Sequence, residues 1–343
     1  MKAPPLLVRF TRTLAFVLSA ASLQAETWHV YFGTGGPGAD GIYRSTFDTA
    51  TGKLSAATRA AASEGPGFLA LHPEGGRLYA VTSMDKTPVV AAYRVGAEGA
   101  LSLLGTSPIT DGGGAHIAVH PSGKFLLTAQ YGGGSVGLFP LDAEGRPGPV
   151  TITEHQGGSR VFERRQDNPH PHWCGFSPDG RFALIPDLGL DGIVIYRVNL
   201  EKPAIERHSF AASIPGGGPR HMRFSPDGRF IYLLNELSLS VTTYAWDAAN
   251  GTARLLATVP ALSASVKARE SFNSAAEILV HPSGRFVYSS NRGHDSVTVY
   301  RADPATSALE VVQVQPVRGA FPRNINLAPG AGWLLAAGQD SNT

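Results

Sequence analysis

His281-Pro282-Ser283-Gly284-Arg285-Phe286 decides the fold, because the chain repeats it. The pattern recurs as His72-Pro73-Glu74-Gly75-Gly76-Arg77, His120-Pro121-Ser122-Gly123-Lys124-Phe125, Ser177-Pro178-Asp179-Gly180-Arg181-Phe182 and Ser225-Pro226-Asp227-Gly228-Arg229-Phe230, with a degenerate copy at Ala328-Pro329-Gly330-Ala331-Gly332-Trp333. From residue 72 to residue 328 the successive steps are 48, 57, 48, 56 and 47 residues. That is the period of propeller blades. In each copy Pro sets φ at the second turn position and Gly closes the turn, between an alternating strand before it and an apolar strand after it.

Working outward from each hairpin, a third strand follows, as in Ile193-Val194-Ile195-Tyr196 or Val297-Thr298-Val299-Tyr300. A polar stretch such as Thr306-Ser307-Ala308-Leu309 then leads into an outer strand, so one repeat makes a four-stranded antiparallel blade. Trp28 to Phe32 reads as one more second strand without its own first strand, which brings the expected number of blades to seven. The chain stops at Asp340-Ser341-Asn342-Thr343, just after a second strand. The expectation is an all-β, seven-bladed propeller whose last blade is incomplete, in a natural product that continues by roughly one blade's worth.

Composition agrees with many short elements. The 343 residues include 40 Gly and 25 Pro, well above the average share of about 12% for the two together. With 43% hydrophobic and 16% charged residues the chain is neither disordered nor a long helical bundle. A formal charge of +2 and no Lys/Arg block give no field for nucleic acid. Cys174, the only cysteine, leaves no intrachain disulfide and no CxxC zinc site.

Lys2, Arg9 and Arg12 precede an apolar stretch from Leu14 to Leu23, and Gln24-Ala25 is followed by Glu26. This reads as a secretory signal over residues 1–25, ahead of a single propeller domain over 26–343. The apolar stretch is too short to span a bilayer, and no later segment reaches that length. The mature protein is expected to be periplasmic or secreted, without a membrane contact. The sequence leaves its oligomeric state open.

Two familiar patterns are discounted. Gly33-x-Gly35-x-x-Gly38 leads into another strand where a dinucleotide site needs a helix. Gly133-x-Ser135-x-Gly137 lies between two strands of one blade, without the strand-to-helix turn of a nucleophile elbow. His72, His120 and His281 recur with the scaffold and alternate with Ser177 and Ser225, so they are given to the hairpin.

Residues that break the repeat are better candidates for chemistry. Asp167-Asn168-Pro169-His170-Pro171-His172-Trp173-Cys174 holds two histidines at i and i+2 on an extended segment, which directs both to one face. Gly216-Gly217-Gly218-Pro219-Arg220-His221-Met222 places Arg220 where the preceding repeat has His172. Asn235-Glu236 and Asn291-Arg292 follow the next two second strands. Inner strand ends of a propeller converge on the central channel, so His172, Arg220, Glu236, Arg292 and Arg323 could share one pocket. The plainer alternative is a set of interblade salt bridges, with His172 bound to a backbone carbonyl. Zinc at His170 and His172 lacks a third ligand at convincing spacing, and neither a metal nor any other cofactor is expected.

Gly218-Pro219-Arg220-His221-Met222, Asn235-Glu236-Leu237, Phe321-Pro322-Arg323-Asn324-Ile325 and Ala336-Ala337-Gly338-Gln339, in this order on this repeat, closely resemble the seven-bladed propeller lactonases. That family includes bacterial 6-phosphogluconolactonases and fungal carboxymuconate cyclases, and the resemblance runs from about Thr27 to Gln339. It implies a lactone-handling site in the central channel, with His172, Arg220, Glu236 and Arg292 at the catalytic positions of the cyclase branch. His170, His221, Asn235 and Arg323 are expected around the substrate.

The residue types suit the chemistry. A lactone carbonyl gains negative charge as water attacks, and Arg220 is the guanidinium assigned to it. Either Glu236 or His172 is the base, and Arg292 and Arg323 bind a carboxylate or phosphate of an anionic small-molecule lactone. The rival reading is a non-catalytic exported disc that binds a ligand or protein, and a cyclase-like lactonising enzyme is a further alternative. A propeller quinoprotein or calcium-dependent lactonase is disfavoured, since no tryptophan-docking repeat and no Asp/Asn/Glu cluster is present.

Overall fold

A computed structural model describes residues 26–35 and 40–343; the secretory signal read at 1–25 lies outside them. Seven antiparallel sheets follow one another along the chain. Blade 1 comprises Thr27–Phe32, Gly41–Asp48, Lys53–Leu54 and Thr58–Ala62, and both short strands pair with Gly41–Asp48. Its outer position is thus one interrupted strand, and Thr27–Phe32 occupies the place of a second strand, as the sequence suggests. Blade 2 runs from Glu64 to Pro108, blade 3 from His116 to Glu154, blade 4 from Gly175 to Ala212, blade 5 from Pro219 to Pro260 and blade 6 from Ser274 to Pro316, each with four strands in sequential order. Blade 7 has two strands, Pro322–Leu327 and Leu334–Gly338.

The repeated hairpins sit between first and second strands. In the five regular copies the glycine N–H donates to the carbonyl three residues back, as Gly123 does to His120 at 2.8 Å and Gly180 to Ser177 at 2.8 Å, and in blade 7 Ala331 takes the glycine's place. These glycines share φ values of +70° to +73°, a region that a Cβ would strain. The hairpin side chains then stitch blades together. His72 Nε2 and His120 Nε2 lie 3.4 and 2.9 Å from the carbonyls of Gly123 and Gly180 in the following blades. Arg77, Arg181 and Arg229 donate to the carbonyls of Ala143, Ala248 and Pro304, again one blade ahead.

Blade faces are apolar and pack in sequence. Phe182, Leu184, Ile193, Ile195, Met222, Ile231 and Leu233 bury the face between blades 4 and 5, and comparable clusters lie between blades 2 and 3, 3 and 4, and 5 and 6. Full burial of each such side chain stabilises by about 1.5–3 kcal/mol. The cluster between blades 6 and 7 shrinks to three buried residues, Leu279, Val297 and Ile325. Between blades 7 and 1 no apolar cluster occurs among the described residues. The seam there is made by Trp333, edge-on to Phe47 at 6.3 Å and donating from Nε1 to the Thr49 carbonyl at 2.8 Å.

Neither discounted motif leads into a helix among the described residues. Residues 33–40 link the antiparallel strands Thr27–Phe32 and Gly41–Asp48, although 36–39 lie outside the described residues. Ser135 begins the strand Ser135–Pro140, and its hydroxyl donates to Asp111.

Candidate functional site

Local backbone irregularities aim the site residues. In blade 5 the register between the two inner strands slips between Pro219 and His221, which bulges Arg220 out of the ladder. Blades 6 and 7 slip at corresponding places, between Ala275 and Ile278 and between Pro322 and Asn324. The bulged residues there are Ala276 with Glu277, and Arg323. A β-bulge re-aims side chains in this way at functional positions.

His172 stands on the extended Pro169–His172 segment. Asp187 fixes that segment: its Oδ1 accepts the N–H groups of His170, Gly189 and Leu190 at 2.8–3.0 Å, while Oδ2 binds His155 Nδ1 at 2.6 Å. Arg292 ends the second strand of blade 6 and Glu236 directly follows that of blade 5, where residues turn to the axis.

These groups meet around one carboxylate. Glu236 Oε2 accepts from Arg220 Nε at 2.9 Å, lies 3.2 Å from Arg292 Nη2 and faces His172 Nε2 at 3.9 Å. Its Oε1 accepts from Arg165 Nη2 at 2.7 Å. Burial works to raise the Glu236 pKa, but the charges of Arg220 and Arg292 and the Arg165 hydrogen bond outweigh it and bring the carboxyl down to about 2. Burial lowers Arg220 to about 9, which leaves it charged at neutral pH. Burial also pushes His172 well below the usual histidine range, reinforced by Arg220, so its imidazole is neutral at pH 7.

Arg220 has two commitments besides Glu236: Nη1 lies against the Ala276 carbonyl and 3.1 Å from His221 Nε2. Its Nη2 hydrogen-bonds to none of the described residues. Arg292 Nη2 also reaches Ser274 Oγ and the Ala275 carbonyl, and its guanidinium sits over Phe321 at 5.3 Å. Arg323 is exposed and makes no hydrogen bond among the described residues.

A second polar layer lies beside the first. Glu277 Oε1 accepts from His221 Nδ1 at 3.1 Å and Arg223 Nη2 at 3.0 Å, while Oε2 accepts from Asn324 Nδ2 at 3.0 Å. With Nδ1 donating to a carboxylate and Nε2 accepting from Arg220, His221 is held as one neutral tautomer. Burial, reinforced by Arg220, depresses its pKa accordingly. The rings of His116 and His172 pack edge-on against His221 at 5.5 and 5.2 Å.

Three of the expected residues already have partners in the protein. Asn235 turns into its own blade, donating to Ser240 Oγ and Thr242 Oγ1 and accepting from Ser213, and Asn291 donates likewise to Ser296 and Thr298. Successive strand residues face opposite ways, so the neighbour of a channel residue cannot share its face. His170 stacks on Tyr131 at 4.5 Å and donates from Nδ1 to the Tyr131 carbonyl, so its ring nitrogen is engaged by the wall. Arg292, expected to bind an anion of the substrate, is 7% exposed and already binds Glu236.

Sequence reasoning missed Arg165 and Glu277. A lone carboxylate in the apolar run Ser274–Val280 signals Glu277, and the long 57-residue step in front of Ser177 signals an insertion that could carry Arg165. The five arginines 165, 220, 223, 292 and 323 against two carboxylates leave an excess of positive charge at the channel. Among the described residues no group of three or more His, Cys, Asp or Glu is placed to hold a metal ion. A cleft of about 470 Å3 lies away from these residues, between blades 6 and 7, lined by Tyr288, Val297, Leu334 and Ala336.

Known proteins share this architecture. Residues 29–343 match the family described as lactonase, 7-bladed beta-propeller. A 6-phosphogluconolactonase of Bacillus subtilis is 32% identical over 308 residues, 89% of this chain and 86% of that protein. One from Formosa agariphila is 32% identical over 310 residues, 88% of this chain and 86% of that protein. Among solved structures, a periplasmic gluconolactonase of Pseudomonas aeruginosa is similar with a TM-score of 0.85 and 31% identity, covering 92% of this chain and 90% of that one.

Proposed function

This chain belongs to the seven-bladed β-propeller lactonase family, and on that premise we propose that it hydrolyses a sugar lactone in the central channel. The observation that carries the reading is the convergence of Glu236, Arg220, Arg292 and His172 from blades 4, 5 and 6 on one point. A merely structural salt bridge has no use for a neutral, buried histidine beside a carboxylate that three arginines keep ionised.

Roles follow from protonation. A carboxyl held at about 2 is a weak base at neutral pH. Glu236 is moreover committed to three guanidinium groups, so the neutral His172 is assigned as the base that takes a proton from the attacking water, and Glu236 stabilises the imidazolium that forms, as a carboxylate does for a catalytic histidine. The uncommitted Nη2 of Arg220 is the donor for the oxygen that gains charge in the tetrahedral intermediate. Collapse breaks the ring C–O bond, and the proton on His172 passes to the leaving alkoxide to give the open hydroxy acid. Arg323 offers an exposed cation for a charged substituent.

Export is part of the proposal. The secretory pattern at residues 1–25 and the likeness to a periplasmic gluconolactonase support work outside the cytoplasm. The test is pH-stat hydrolysis of gluconolactone and its 6-phosphate by the mature protein beside His172→Ala. Turnover that collapses in the variant supports the assignment. A folded protein that turns over neither lactone sinks it.

A further inference from the structure

Three guanidinium groups hold Glu236, and one differs from the others. Arg220 and Arg292 are 2% and 7% exposed and are each held by a backbone carbonyl of blade 6 as well. Arg165 is 41% exposed, and its remaining contact is a 3.4 Å hydrogen bond to the Tyr131 hydroxyl. It is carried by the insertion between blade 3 and blade 4, not by a propeller strand.

The base of that insertion is firm although the arginine is not. Next to it, Gln166 is fully buried and donates from Nε2 to the Leu188 carbonyl at 2.8 Å and to Asp191 Oδ1 at 2.6 Å. Asp191 in turn accepts the N–H groups of Gly216 and Gly218 at 2.7 and 2.9 Å. The backbone at 165 is thereby tied to blades 4 and 5, while its side chain reaches over the channel from the solvent side. The guanidinium side of this pair is open to solvent although the carboxylate is buried, so screening weakens the hold and an incoming anion can compete for Arg165.

We propose that Arg165 is a specificity-determining residue: it pairs with Glu236 in the empty channel and transfers to the anionic arm, phosphate or carboxylate, of a bound lactone. The guanidinium fork suits either anion in bidentate fashion. Its departure leaves Glu236 Oε1 without a cation, so the carboxylate acts more fully on His172. A neutral lactone offers no competing anion and leaves Arg165 where it is. Charge on the substrate then contributes to turnover as well as to binding.

The inference rests on the lactonase reading, and the experiment separates the two. Mature wild type, Arg165→Gln and Arg165→Lys are compared on gluconolactone, its 6-phosphate and glucarolactone, which carries a carboxylate arm. The expected result is a fall of roughly 10-fold or more in the ratio of kcat/KM for either charged lactone to that for the neutral one in Arg165→Gln, mainly through KM, since hydrogen bonds to charged groups are worth about 1.5–3 kcal/mol. The neutral lactone should gain in kcat, because Glu236 is released, and Arg165→Lys should fall between. A loss on the phosphate alone would assign the arm to phosphate, and on glucarolactone alone to carboxylate. An unchanged ratio, or equal loss on all three, overturns the proposal. Calorimetric titration with gluconate, 6-phosphogluconate and glucarate, whose second acid group stands for the arm, decides it independently of turnover. If wild type prefers either of the last two to gluconate and Arg165→Gln does not, Arg165 is the anion reader even in a protein that hydrolyses nothing; equal binding of all three by wild type overturns it.

Discussion

Asn235 and Glu236 are neighbours in the chain and belong to different parts of the molecule, as do Asn291 and Arg292. Each asparagine closes its own blade with a Ser and a Thr of the adjacent strand, at the same spacing in both blades. Each following charged residue leaves the blade and meets the other over the channel at 3.2 Å. The scaffold therefore repeats down to individual hydrogen bonds, and the site begins one residue later, where the repeat fails. Fold and function are separated here by the alternation of a strand, not by distance along the chain.

The largest effect that tests this division is expected at the charged member. Glu236→Gln should lower kcat/KM by roughly 10²–10⁴ on a true lactone substrate, since it removes the partner of the His172 imidazolium. Steady-state kinetics on the folded variant measures it, and a loss below about 3-fold would place Glu236 with the scaffold.

Acid should reveal the same residue through stability. The folded Glu236 carboxyl lies near 2, below the usual value of about 4.3 for the unfolded chain. A depressed folded value means stability that is fully present above the unfolded value and is lost as pH falls through the folded one. Urea unfolding between pH 5 and 2 should show a loss of order 3 kcal/mol from this group, and Glu236→Gln should flatten that dependence.

At the asparagines the expectation reverses. Asn235→Ala and Asn291→Ala should each cost about 1–3 kcal/mol in urea unfolding by leaving buried hydroxyls without their donor, with KM held within about 2-fold. A large KM effect at Asn235 would restore it to the pocket. The smallest effects belong to the hairpin belt. His120→Ala should cost about 1 kcal/mol, and the half-exposed Arg181→Ala less, with kcat/KM unaltered in both.

The blades were legible because the hairpin demands Pro and Gly at fixed places, and that demand recurs at the spacing of propeller blades between strand-like segments. Arg220, Glu236, Arg292 and His172 stood out for the converse reason, as ionisable groups standing where the repeat has none. Asn235 was misassigned because nearness in sequence was taken for nearness in space. Arg165 was hidden because an insertion has no repeat to be measured against, and its partner lies 71 residues away. Glu277 reaches the axis only through a register slip between Ala275 and Ile278, which depends on how two strands pair and not on either strand alone.

Asn324 ties blade 7 into the site. It donates from Nδ2 to Glu277 Oε2 of blade 6, and Glu277 Oε1 in turn accepts from His221 Nδ1 of blade 5. One carboxylate thus reads the seating of three consecutive blades at once. A shift of any of them against its neighbours frees the His221 ring, so the imidazole resonances of that residue would report loosening of the channel wall before any strand is lost.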